Sequence, residues 1–370
     1  MRVTRAEINL NALRYNVAGI KNKVGNNVSV MAVVKANAYG HGIVEVSKAL
    51  QEFGIDYLGV AFLEEAIELR QRGIRTPILV LSGVMGSTIE QFFEYDVDIS
   101  VASLEIAELI NQKAQLLGTK ARVHLKIDTG MTRLGVCAEH ALPFIDKASR
   151  LKHLDVVGIY SHFATSDERD KSFAYQQLER FSSVLNHLDT LNVTIPFIHI
   201  ANSGAILDMP ESYFSLVRAG IMMYGIFPSQ ETSESIPLQA VLSLKSKIGF
   251  IKEVPAETSI GYNRKYFTSK KTQIATVPVG YADGYSRRLT NRTEVLIGGK
   301  RHPVVGSICM DHIMVDVGLD LPVHVGDDVV LMGRDGQETI SVWKIADALG
   351  TNPYEVFTSI TARVPRVVVN

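Results

Sequence analysis

Five groups of polar or ionisable residues each stand where an apolar run ends. Lys35 closes Val30-Met31-Ala32-Val33-Val34 and precedes the turn-like Ala36-Asn37-Ala38-Tyr39-Gly40. An amine at the end of a buried strand is partly desolvated, which disfavours its charged form. A neutral amine is a nucleophile that condenses with an aldehyde. Lys126 lies on a second run and leads into Asp128-Thr129-Gly130-Met131 and Arg133. Ser161-His162-Phe163 ends a third, His199 followed by Asn202-Ser203-Gly204 a fourth, and Arg218-Ala219-Gly220-Ile221 a fifth. Each has a plain reading taken alone: a snorkelling lysine, a capping histidine, an arginine on a solvated edge. Five on one rim favour a site.

The elements that must carry them read as strands alternating with helices. Apolar runs near Val28–Val34, Tyr57–Ala61, Ile78–Leu81, Val97–Val101, Arg122–Ile127, Val156–Ser161, Phe197–Ile200 and Ser215–Val217 predict eight strands. Between them, Ala174, Leu178, Phe181, Leu185 and Leu188 keep a 4-3-4-3 spacing that puts one apolar stripe on a helix. Another helix is expected from an N-cap at Ser103 to a terminating Gly118. Eight such units in succession argue for a (β/α)8 TIM barrel, whose chemistry collects at the C-terminal ends of its strands. The loops after strands seven and eight often cradle phosphate in these barrels. Here they offer the Ser203 hydroxyl and the backbone around Gly204, Gly220 and Ile221. A phosphate there and an amine on strand one suit a phosphorylated aldehyde cofactor, pyridoxal phosphate.

Beyond about residue 235 the helical period mostly stops. Ser243–Val254, Gln273–Val279, Thr293–Ile297, Val304–Cys309, Ile313–Val317, Asp328–Met332 and Arg366–Val369 read as strands, with Gly298-Gly299 a hairpin turn and one short helix near Val342–Leu349. The expected organisation is a barrel over 1–235 and a C-terminal β-rich domain over 236–370, with the first ten or so residues pairing with the β-domain. Its polar aromatics, Tyr262, Tyr281, Tyr285 and Tyr354, outnumber what a core needs. Lys and Arg total 38 against 39 Asp and Glu, so the net charge of −1 gives no support for nucleic-acid or membrane-surface binding. The N-terminus has no apolar signal region and no long uncharged apolar run occurs, so a cytoplasmic protein is expected. Cys137 and Cys309 show no metal-ligand spacing and read as free thiols; no metal is expected.

The ordered set of motifs resembles the alanine racemase family over nearly the whole chain. Ala32-Val33-Val34-Lys35-Ala36-Asn37-Ala38-Tyr39-Gly40-His41-Gly42 is similar to the family's cofactor-lysine signature, and Lys126-Ile127-Asp128-Thr129-Gly130-Met131-Thr132-Arg133-Leu134-Gly135 to a second. Ser161-His162-Phe163-Ala164, Ala201-Asn202-Ser203, Arg218-Ala219-Gly220, Val279-Gly280-Tyr281-Ala282-Asp283-Gly284-Tyr285, Cys309-Met310-Asp311 and Arg363-Val364-Pro365-Arg366 follow in the family's order. The resemblance implies a head-to-tail homodimer with shared active sites and alanine as substrate, supplying D-alanine for peptidoglycan. It implies that Lys35 carries pyridoxal 5'-phosphate; that Tyr39, Asn202, Ser203, Gly220, Ile221 and Tyr354 help to bind it; and that Arg218 faces the ring nitrogen with His162 behind it. Tyr262, reaching in from the other subunit, is implied as the second catalytic residue. Arg133 and the Met310 amide are implied to orient the substrate carboxylate, with His199 in support and Tyr281 and Asp311 at the entrance. Lys126 resembles a lysine that is carbamylated in some members; an ordinary hydrogen-bonded lysine is the other reading.

The residue types suit that chemistry. Racemisation removes a proton from one face of a carbon and delivers one to the other, and two bases such as Lys35 and Tyr262 do this without a swivelling substrate. Arginine does not give up its proton, so a ring nitrogen facing Arg218 stays unprotonated and transamination is restrained. Two positions depart from the family: Asn263 follows Tyr262 where glycine is common, and Phe357 precedes Thr358 where cysteine is common. Asparagine tolerates a left-handed turn. The rivals are a racemase of a larger amino acid such as serine, a decarboxylase on the same plan, and a non-enzymatic carrier of the cofactor. Arg218, where decarboxylases place a carboxylate, argues against the second, and the residues beyond 235 with Tyr262 argue against the third.

Overall fold

The computed structural model describes residues 2–191, 193–320 and 322–370. The chain forms two compact units: Leu13–Ala38 with Ile43–Gln239, and Met1–Ala12 with Tyr39–Gly42 and Ala240–Asn370.

In the first unit, eight parallel strands follow one another in the order Leu216–Ala219, Ser29–Val33, Tyr57–Val60, Ile78–Val80, Asp98–Val101, Ala121–Asp128, Leu154–Tyr160 and Phe197–His199. The ends of this sheet meet: Ser215 N–H donates to the Ile198 carbonyl at 3.2 Å and Arg218 N–H to that of Ala201 at 2.9 Å. The sheet is thus a nearly closed barrel with helices between its strands. Most of its strand residues are buried, as expected of parallel strands covered on both faces. Met31, Tyr57, Leu79 and Leu216 pack together inside, with Leu81 and Phe197 against them, each buried apolar side chain contributing about 1.5–3 kcal/mol. The helix Leu104–Leu116 is capped by Ser103, whose Oγ accepts from Ile106 N–H at 3.4 Å. Gly118, at φ +66°, follows its end. The helix Ser172–Leu185 buries Ala174, Leu178 and Phe181; Val184, not Leu185, continues the stripe, and Leu188 is buried beyond the helix end.

The second unit begins with the strand Arg5–Asn9, which pairs antiparallel with Leu242–Lys247 and parallel with Arg366–Val369. Besides short extra strands at Ser259–Ile260, Tyr266–Phe267 and Glu338–Ile340, three larger features depart from the sequence reading. The expected strand Ser243–Val254 is two strands, Leu242–Lys247 and Phe250–Val254, in different sheets. They part at Ile248-Gly249, where Ile248 N–H turns to the Asp327 carbonyl. Val304–Cys309 is not a strand. The tight Gly298-Gly299 turn, with φ +57° and +73°, sends Lys300–Pro303 back along Glu294–Ile297, and Gly306 at φ +71° ends the extended run. A second helix, Pro353–Ser359, follows Val342–Leu349. Its start was written in Asn352-Pro353, since Asn352 Oδ1 caps Glu355 N–H at 3.1 Å and proline suits a first helical turn.

Candidate active site

In the barrel unit, the period-2 alternation of strands points Asp98 and Ser100, His124 and Lys126, Gly158 and Tyr160, Phe197 and His199, and Leu216 and Arg218 the same way in pairs. Strand register then sets Lys126 beside Tyr160 and Tyr160 beside His199. The sequence-predicted residues Lys126, His162, His199 and Arg218 converge in this way.

Arg218 is the centre of the group and only 3% exposed. Its Nη1 donates to His199 Nδ1 at 2.8 Å. Its Nη2 donates toward the carbonyls of Ser161 at 2.8 Å and Ile200 at 3.0 Å, and toward His162 Nδ1 at 3.0 Å. The Nε–H makes no hydrogen bond among the described residues. Burial pulls the guanidinium pKa down to about 10, which still leaves it charged at neutral pH. The His199 ring stacks on Tyr160, centroids 4.7 Å apart and 2° from parallel. Lys126 Nζ lies 4.4 Å over the same tyrosine ring.

Lys35 is half-buried, just past the end of its strand. Burial first, then Arg133 and Arg218, depress its pKa, so these cations share its neighbourhood. Lys126 is buried, and burial, Arg218 and Arg133 push its pKa well down. Burial and Arg218 likewise push His162 and His199 well below the usual histidine range. Arg133 is exposed and makes no hydrogen bond or ion pair among the described residues. A fully desolvated cation would cost several kcal/mol without acceptors. For Arg218, two carbonyls and two imidazole nitrogens provide them.

After Lys35 the backbone does something rare. Ala36, Asn37, Ala38 and Tyr39 have φ of 52°, 57°, 52° and 51°. Ala38 N–H donates to the Val34 carbonyl at 2.7 Å and Asn37 Oδ1 accepts from Ile43 N–H at 2.8 Å. The left-handed region costs about 1–2 kcal/mol for each residue with a side chain. Strain of this kind clusters at functional sites.

In the loops after the last two barrel strands, Ser203 Oγ accepts from Gly220 N–H at 3.0 Å and Met222 N–H at 3.5 Å, so its own hydrogen is left to donate. The Ile221 N–H opens a short 3-10 turn and has no partner among the described residues. A Cβ on Gly204 would lie 2.8 Å from the Ser166 carbonyl, so only glycine fits there. Asn202 caps the helix Ser203–Asp208, its Oδ1 accepting from Ala205 N–H at 3.2 Å and Ser166 Oγ at 2.6 Å.

The second unit holds the other predicted residues. Tyr39 and Tyr354 rings stand 5.9 Å apart. Tyr262 is 69% and Met310 52% exposed, and Tyr281 is exposed too. Asn263, after Tyr262, has φ 59°, a left-handed turn that asparagine tolerates. Ser307 Oγ donates to the Tyr262 carbonyl at 2.8 Å. The 280–282 and 309–310 segments are pinned by Tyr281 N–H to the Cys309 carbonyl and Ala282 N–H to the Met310 carbonyl, each 3.1 Å. The Met310 N–H itself has no partner among the described residues. Asp311 is paired with Arg363 at 2.7 Å. Residues missed from sequence are Tyr160, His124, Asp98 and Gly158; their signal was the period-2 inward alternation beside Lys126, His162 and His199.

A nearly closed parallel barrel with an amine, a buried guanidinium and a buried serine hydroxyl gathered at one rim defines the class: a barrel enzyme with its site at the strand ends. The profile described as alanine racemase, N-terminal domain, matches residues 8–228, and that of the C-terminal domain matches 241–368. Alanine racemase 2 of Caldanaerobacter subterraneus subsp. tengcongensis is 46% identical over 368 residues, covering 99% of this chain and 95% of its own. The solved alanine racemase of Clostridium difficile 630 superposes with a TM-score of 0.95 at 43% identity, covering 100% of this chain and 96% of that one. The same enzyme in complex with cycloserine gives 0.94 at 42%, with the same coverage. The chain belongs to the alanine racemase family. Among the described residues no helix is long and apolar enough to cross a membrane.

Proposed function

We propose that the chain interconverts L-alanine and D-alanine, with pyridoxal phosphate as its cofactor, by a two-base mechanism. The observation that carries this reading is the pairing of a half-buried Lys35, its pKa lowered, with a buried Arg218 whose Nε–H makes no hydrogen bond among the described residues. A ring nitrogen that keeps its lone pair is the acceptor which that donor suits. The Ser203 hydroxyl and the Ile221 N–H are suited to a phosphate, with the Gly220 backbone beside them. When bound, pyridoxal phosphate supplies an aldehyde carbon for an amine and a conjugated ring that spreads the electron pair left by a departing α-proton.

The chain's own residues do the rest. Lys35, neutral more readily than a solvated lysine, takes a proton from one face of the substrate's α-carbon. The phenol of the partner subunit's Tyr262 delivers one to the other face, and the roles reverse for the opposite enantiomer. Arg133, without a hydrogen bond or ion pair among the described residues, and the Met310 N–H hold the substrate carboxylate. Arg218 keeps its hydrogen at Nε and so withholds a proton from the ring nitrogen, which limits side reactions. The exposure of Tyr262, Tyr281 and Met310 supports a homodimer in which they are covered. A cytoplasmic enzyme supplying D-alanine for peptidoglycan belongs to the same reading.

The test is to incubate the purified protein with L-alanine and assay D-alanine, pyruvate and ethylamine, and to record the visible absorbance before and after borohydride. The expected result is D-alanine alone, with a band that reduction removes and Lys35→Ala lacks. Pyruvate or ethylamine as the main product overturns the reading. So does turnover of serine in preference to alanine, as far as the substrate is concerned.

A further inference from the structure

Behind Arg218 runs a buried line of side chains that the proposed reaction does not use. His199 Nε2 lies 3.0 Å from His124 Nδ1. His124 Nε2 lies 3.5 Å from Asp98 Oδ2 and has no closer partner among the described residues. Asp98 Oδ1 accepts from Arg122 Nε–H at 2.9 Å; Oδ2 accepts from Arg122 Nη2 at 3.3 Å and from the Tyr57 hydroxyl. Both histidines are fully buried. Asp98 is the first residue of its strand, at the opposite end of the barrel from Lys35. It borders a cleft of about 440 Å³ with Arg122 and Glu94.

The direction of every hydrogen in this line is set by its two ends, a donor-only guanidinium and an acceptor-only carboxylate. Arginine has donors and no acceptor, so His199 Nδ1 must accept from it. A neutral His199 then carries its hydrogen on Nε2 and donates to His124 Nδ1. His124 in turn carries its hydrogen on Nε2, aimed at the Asp98 carboxylate. Neither ring can take a second proton without setting two N–H groups face to face. Burial, which pushes both histidine pKa values down, works the same way. Arg218 makes no ion pair among the described residues, and this line of two imidazoles ends on a carboxylate. Hydrogen bonds in such a chain polarise one another.

A second observation shows that the line is built. Gly158 stands beside His124 in the sheet because Val157 is an extra residue in its strand. A Cβ on Gly158 would lie 1.9 Å from His124 Nδ1, the atom that meets His199. The backbone of Gly158 is ordinary, so the missing side chain serves space alone.

We propose that Asp98 and His124 are positioning residues for Arg218: the carboxylate holds His124, and through it His199, in the one tautomer that presents a bare Nδ1 to the guanidinium. The consequence for turnover rests on Arg218 acting as proposed above; the tautomers do not.

The experiment is nitrogen-15 NMR of histidine-labelled holoenzyme, with Asp98→Asn, Gly158→Ala and the control Glu94→Gln. The wild type should show His124 and His199 neutral, with hydrogen on Nε2 in both. Asp98→Asn should shift the nitrogen resonances of His199 as well as His124. It should also lower kcat for alanine by about tenfold, the scale of an outer-shell partner, with KM unchanged. Gly158→Ala should do the same by displacing His124, and Glu94→Gln should do neither. A hydrogen on Nδ1 of either ring in the wild type overturns the proposal, whatever the variants do. So does a folded Asp98→Asn that loses thermal stability while the His199 resonances and kcat stay put. If the wild type turns over no alanine, the racemase reading fails, and the resonance shifts still decide this one.

Discussion

Lys126 Nζ sits 4.4 Å over the ring of Tyr160 and makes no ion pair among the described residues. Burial and the charges of Arg218 and Arg133 hold its pKa well down, which favours the uncharged amine in a region rich in positive charge. Such an amine adds to carbon dioxide, forming a carbamate and releasing one proton. The product is an anion that the same arginines stabilise. Protein equilibrated with carbon-13 bicarbonate should therefore show one carbamate resonance that Lys126→Ala lacks. A spectrum identical in the two proteins rules the modification out and leaves Lys126 an ordinary amine.

The left-handed turn after Lys35 yields a stability prediction. Ala36 is exposed and has φ 52°, so glycine there removes strain without removing packing. Relief of about 1–2 kcal/mol is partly offset by about 0.5–1 kcal/mol of chain entropy. Ala36→Gly should stabilise the protein by about 0.5–1 kcal/mol in urea unfolding. A lower urea midpoint would show that the turn is not strained.

Gly280 governs the position of Met310. Its φ of −154° is open to any residue, but a Cβ would lie 2.3 Å from the Met310 carbonyl and 2.4 Å from that of Cys309. Gly280→Ala must push the segment carrying the Met310 amide. If that amide holds the substrate carboxylate, KM for alanine should rise by about tenfold, equivalent to about 1.4 kcal/mol of binding. Steady-state kinetics on the folded variant provide the check, and an unchanged KM removes Met310 from the substrate site.

Acid should unfold this protein earlier than its carboxylates alone require. His124, His162 and His199 are all held below the usual histidine range, chiefly by burial. The unfolded chain takes up protons at these positions near pH 6.5 that the folded chain refuses. The unfolded state then binds more protons, so stability falls as the pH drops below about 6.5. Each such histidine contributes about 1.4 kcal/mol per pH unit. Urea midpoints measured between about pH 7 and about pH 5 should decline steadily; a flat profile contradicts the buried neutral histidines.

Sequence alone determined the barrel, because strands buried on both faces leave uninterrupted apolar runs and Lys35, Lys126, His162, His199 and Arg218 stand where such runs end. It also carried the family, because the motifs keep their order from Lys35 to Arg363. It misread Val304–Cys309 because β-branched residues announce extended chain without saying which partner they meet; the Gly298-Gly299 turn had already committed Lys300–Pro303. Tertiary structure alone decided what stands behind Arg218. Asp98, His124 and Gly158 are distant in sequence and unremarkable there. Inter-strand register, shifted by one residue at Val157, is what joins them, and register is a property of neighbouring strands that no single stretch of chain contains.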